Sequence, residues 1–73
     1  MKKPTKSAIE AMTLTEYALD VGAYRSTTFD KLRPRLQVAS TTGWCSKAAR
    51  TKRARVMLER LAREGWELKR IRA

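Results

Sequence analysis

The chain has 73 residues, with 17 Lys plus Arg against 7 Asp plus Glu, no histidine and one cysteine, for a net charge of +10. A chain this short holds one domain and buries only about 60% of its unfolded surface, so it gains stability from a ligand or a second copy. The composition argues against an enzyme, a metal site, a cofactor and an internal disulfide: there is no histidine, no carboxylate pair outside ordinary helix spacing, and no second thiol for Cys45.

In chain order, residues 1–6 are basic, contain Pro4 and lack apolar spacing, so they read as a flexible arm ahead of a single domain over 7–73. Ser7 with Glu10 forms a capping-box pattern for a short helix facing the core through Ile9 and Met12. A second such box, Thr13 to Glu16, predicts a helix from about Leu14 to Val21, with Leu14, Tyr17, Ala18 and Val21 on one face. Gly22 stands where a terminating glycine is expected. Ser26 is the expected cap of a helix over about 27–33, with Phe29 and Leu32 as its apolar pair and Pro34 as its stop or bend. Residues 36–39 fit either a continuation of that helix or a short strand, and 40–43 read as a loop.

The clearest helix runs from about Ser46 to Glu64, with a stripe of Ala48, Ala49, Ala54, Met57, Leu58, Leu61 and Ala62. Glu59 and Arg63 are set for an i, i+4 pair. Gly65 and Trp66 fit a Schellman stop. Residues 66–71 fit a short strand or a tail packed through Trp66, Leu68 and Ile71. The fold class expected is mainly α, with a long basic C-terminal helix. The uncharged run between Arg35 and Lys47 is short and polar, far below the roughly 20 apolar residues a membrane span needs. No apolar stretch follows the N-terminal lysines, so no leader is expected. A cytoplasmic location with no membrane partner follows.

Leu14, Tyr17, Ala18, Val21, Gly22, Ala23, Thr27 and Leu32 resemble the helix-turn-helix of small phage and plasmid repressors. That resemblance implies a second helix in the DNA major groove. Carried over by position, it implies base contacts from Arg25, Ser26, Thr27, Asp30 and Lys31, and backbone contacts from Arg33 and Arg35. Tyr24 beside Arg25 offers a phenol and a guanidinium to a phosphate.

Lys47, Arg50, Lys52, Arg53 and Arg55 fall within nine residues at the front of the long helix, ahead of any acid. Positive charge opposes the macrodipole at a helix start, so stability does not account for them. There they combine with free backbone N–H groups as a phosphate site. Residues 47–73 hold 10 basic and 3 acidic groups, a net of +7. Trp44 reads as a hydrophobic staple or a base-stacking ring, and Cys45 as an inert small residue. The run Gly43-Trp44-Cys45-Ser46-Lys47 with Arg50 also resembles the last helix of double-stranded RNA-binding domains. The ending, helix then Gly65-Trp66, is similar to a winged helix, in which the long helix would be the reader.

The partner expected is double-stranded DNA, bound by a homodimer acting as a transcriptional regulator. The rivals are an inhibitor that fills an acidic or nucleic-acid-binding surface on a host protein, and an RNA-binding module using 46–64.

Overall fold

The computed structural model describes residues 3–23, 25–39, 43 and 46–71. Tyr24, residues 40–42, Trp44 and Cys45 lie outside these, and with them the phosphate-binding expectation for Tyr24 and the staple expectation for Trp44. Among the described residues there are three helices and no strand: α1 (Lys6–Val21), α2 (Phe29–Gln37) and α3 (Lys47–Arg63). The strand and winged-helix options for 66–71 are therefore not realised.

One helix, α1, replaces the two expected before Gly22. Thr5, not Ser7, is its cap: the Thr5 hydroxyl accepts from the Ala8 N–H at 3.1 Å. Thr13 does not cap. Its hydroxyl donates to the Ile9 carbonyl at 2.7 Å, and that of Thr15 donates to the Ala11 carbonyl at 2.8 Å. A threonine that bonds back one turn sits comfortably in a helix interior, and no Gly or Pro near Thr13 interrupts the run. At the far end Gly22 adopts φ +70, while Ala23 N–H reaches the Ala18 carbonyl at 2.9 Å and Gly22 N–H the Leu19 carbonyl at 3.3 Å. This is the left-handed stop expected of Gly22.

The second helix is shifted from its expected place. It starts after Thr28, not Ser26, and runs through Pro34 to Gln37. Pro34 removes one N–H from the helix interior, yet the helix continues because Leu32 and Leu36, four apart, both bury on α1. Phe29 was expected in the core and is exposed; so is Val21.

As expected, Ser46 caps α3, its hydroxyl accepting from the Ala49 N–H at 3.1 Å. The Schellman stop also forms: Gly65 has φ +93, its N–H reaches the Ala62 carbonyl, and the Trp66 N–H reaches the Leu61 carbonyl at 2.9 Å. The buried stripe is narrower than the alanines and leucines suggested, consisting of Arg50, Ala54 and Leu58. The i, i+4 pair in the last turns is Arg60 with Glu64 at 3.1 Å, in place of Glu59 with Arg63.

α1 packs along both other helices, while α2 and α3 scarcely touch. α1 and α3 run antiparallel: Asp20 meets Arg50, Glu16 meets Arg53, and Ala8 shares a cavity with Leu61 and Ala62. The core between α1 and α2 is Leu14, Ala18, Leu32 and Leu36, with Tyr17, Ala23 and Ala39 at its edge. Because α2 and α3 diverge from the same central helix, a groove is left between them.

Candidate nucleic-acid interface

That groove, of about 620 Å³, has α1 as its floor through Ile9, Glu10, Thr13 and Leu14. One wall is Arg33, Leu36 and Gln37 of α2; the other is Lys47, Thr51 and Arg55 of α3, and Lys6 of α1 closes the end. Four cations from three helices thus face a channel that holds one carboxylate. Lys6 was assigned to the arm, but it is the first residue of α1. Its spacing to Ile9 and Glu10, three and four residues on, is the signal that puts it on the groove face.

The cations do not share one role. Arg50 was expected to meet phosphate, and instead it is buried. Its guanidinium donates to Asp20 of α1 and lies over the Tyr17 ring, 5.5 Å from the centroid. Its side chain is 8% exposed, so a phosphate cannot approach it. Arg53 reaches Glu16 at 3.4 Å, where one Glu16 oxygen is buried without another partner. Arg33 donates to both Glu10 and Asp30. The hydrogen bond that Glu10 accepts from Arg33, backed by the charges of Glu10 and Asp30, raises the Arg33 pKa above its ordinary value. The three acids of α1 are therefore each matched to an arginine of α2 or α3, and these pairs position the walls of the groove.

What remains turned outward is Lys47, Lys52 and Arg55 on α3, all exposed. Lys47 and Arg55 line the groove, and Lys52 stands one turn before Arg55 on the same helix. They lie along the N-terminal half of α3, where the first-turn N–H groups point outward.

The residues expected to read bases cluster around the start of α2. Asp30 and Lys31 occupy its first turn and are exposed. Arg25 and Ser26 are exposed in the preceding turn, in which the Ser26 N–H bonds the Ala23 carbonyl at 3.2 Å. Thr27 is half-buried. Asp30 already has a donor in Arg33, three residues on; it orients that arginine. Arg35 is exposed on α2 but does not line the groove.

Among the described residues no group of three or more potential metal ligands forms, and no helix is long and apolar enough to cross a membrane. No family model, curated protein or solved structure matches the chain.

Proposed function

We propose that this protein binds double-stranded DNA through phosphate contacts at the groove over α1, and acts as a homodimeric regulator of the small phage or plasmid repressor type. One observation carries the reading: Lys6, Lys47 and Arg55, brought together from two helices, face one groove, while the acids near them are matched to Arg33, Arg50 and Arg53. Cations held in register without carboxylate partners suit a ligand with evenly spaced negative charge, and a duplex backbone is such a ligand. The positive end of the α3 macrodipole lies at the same end and favours an anion there. In this reading Lys6, Lys47, Lys52 and Arg55 make the sequence-independent contacts. Arg25, Ser26, Asp30 and Lys31, exposed about the start of α2, supply base discrimination, with Asp30 acting through Arg33.

The test is a comparison of three polyanions at matched charge and physiological salt: random duplex DNA, duplex RNA of the same sequence, and polyglutamate. Fluorescence anisotropy should show duplex DNA bound most tightly and polyglutamate least. Tighter binding of duplex RNA would transfer the function to an RNA-binding α3. Binding of polyglutamate alone would favour the inhibitor of a host protein.

A further inference from the structure

After the left-handed stop at Gly65 the chain leaves α3 as Trp66-Glu67-Leu68-Lys69-Arg70-Ile71, outside any helix. Trp66 is tied back through its N–H to the Leu61 carbonyl, so the segment departs from a fixed base. Three of its side chains are large and apolar, and Trp66, Leu68 and Ile71 are 71%, 63% and 90% exposed. They are not scattered. Trp66 and Leu68 line a second cavity, also about 620 Å³, together with Pro4, Ala8, Leu58 and Leu61 at the start of α1 and the end of α3. Met57 and Leu61, in the last two turns of α3, are exposed as well. A contiguous apolar patch left open on a small domain marks a surface that something else covers.

The charges within the patch indicate what covers it. Lys69 and Arg70 stand exposed between Leu68 and Ile71, and Lys3 is exposed at the cavity. Glu67 is already engaged within the molecule and takes no part. A protein partner that buried Leu68 and Ile71 would also bury the two cations between them, and the cores of protein interfaces are depleted in lysine for that reason. A second copy would bring the same cations, on a chain of +10, against their own kind. A bilayer surface covers such a mixture without that cost. Its acyl boundary takes Leu and Ile, an indole settles at the headgroup level, and Lys and Arg stems reach back to the phosphates. Anionic headgroups attract each such cation, and the net charge of +10 adds attraction at longer range.

We propose that residues 66–71, with the end of α3, dock on the surface of an anionic lipid bilayer. Trp66, Leu68 and Ile71 enter the headgroup boundary, and Lys69 and Arg70 pair with lipid phosphates. No helix among the described residues is long and apolar enough to cross a membrane; lying on one requires no span. The cavity at this patch shares no lining residue with the groove proposed for DNA, so the docking surface goes beyond that reading and stands independently of it.

The experiment is co-sedimentation of the full chain with sucrose-loaded vesicles, either of phosphatidylcholine alone or of phosphatidylcholine and phosphatidylglycerol in equal parts. The wild type is compared with Leu68→Ser plus Ile71→Ser and with Lys47→Ala plus Arg55→Ala, each shown by far-UV circular dichroism to retain its helices. The wild type should bind the anionic vesicles about tenfold or more tightly than the neutral ones. Leu68→Ser plus Ile71→Ser should weaken that binding by about tenfold or more. It should keep random duplex binding within about threefold, since no charge is removed. Lys47→Ala plus Arg55→Ala should bind the anionic vesicles within about threefold of the wild type, because charges distant from the bilayer are screened. A wild type that stays in the supernatant with both vesicles, or binds both equally, would overturn the proposal. So would a Leu68→Ser plus Ile71→Ser variant that binds like the wild type, which would reduce the effect to general attraction by the basic groove. A wild type that self-associates and ignores both vesicles would overturn it in favour of a second copy.

Discussion

Replacing Arg50 by alanine should damage the fold and leave the phosphate contacts in place. The guanidinium donates to Asp20 and covers the Tyr17 ring, so its loss removes a charge-assisted bond worth about 1.5–3 kcal/mol and a cation–π contact worth about 0.5–2 kcal/mol. Breaking a fully buried pair costs about 3–5 kcal/mol, because the abandoned charge stays buried. Here the abandoned partner, Asp20, is 44% exposed and recovers much of its hydration. The net loss is therefore about 2–3 kcal/mol, a large share of the stability of a domain this small. On a chain of this length it lowers the melting temperature by roughly 10–20 °C. Thermal melts followed at 222 nm check the size, and a cycle with Asp20→Ala isolates the pair. Arg50→Lys should fall between, since a point charge lacks the planar fork that covers Tyr17. If Arg50→Ala melts like the wild type and instead lowers the salt dependence of DNA binding, Arg50 faces the ligand and the register of α3 is wrong.

Three further outcomes are expected. Gly22→Val should cost on the order of 1–2 kcal/mol or more: a Cβ at Gly22 meets nothing within 4 Å, so the loss measures only the strain of φ +70, and a wild-type melt would deny the left-handed stop. Pro34→Ala should raise stability by about 1–3 kcal/mol in urea titration, by restoring an N–H inside α2; a weaker variant would mean that the proline ring itself supports the fold. Asp30→Ala should leave the melt unchanged, because the Asp30 side chain is 89% exposed, yet lower the ratio of specific to random duplex affinity by removing one of the two carboxylates that orient Arg33; an unchanged ratio would remove α2 from base reading.

What the sequence disclosed was what short-range chemistry decides. Ser46 with Ala49, Gly22 after Val21, and Gly65 with Trp66 each close within a few residues, and each formed as expected. The start of α2 depended on which leucines find α1. Phe29 with Leu32 and Leu32 with Leu36 are equally good local pairs, and only contact with Leu14 and Ala18 separates them. The break expected at Thr13 failed for a related reason: a threonine hydroxyl satisfies either a cap or its own helix, and burial of Thr13 beside Leu14 chose the helix.

The candidate site was legible as a charge density but not as a division of labour. Lys47, Arg50, Lys52, Arg53 and Arg55 look alike in a basic run, yet Arg50 and Arg53 belong to the packing of α3 on α1. A clue existed, since Arg50, Ala54 and Leu58 are spaced four apart and share one stripe. The partner, Asp20, lies 30 positions away in sequence and could not be assigned from spacing. Lys6 entered the groove for the same long-range reason, through the packing of α1 against the other two helices.

The most direct test of the groove as a phosphate site is the salt dependence of random duplex binding, measured for the wild type and for Lys47→Ala with Arg55→Ala. Each lost phosphate contact should reduce the slope of log K against log salt by about 0.9, so the double variant should lose roughly two units while keeping the wild-type melt. An unchanged slope, or a wild type that does not bind random duplex at physiological salt, would contradict the assignment of this surface to DNA.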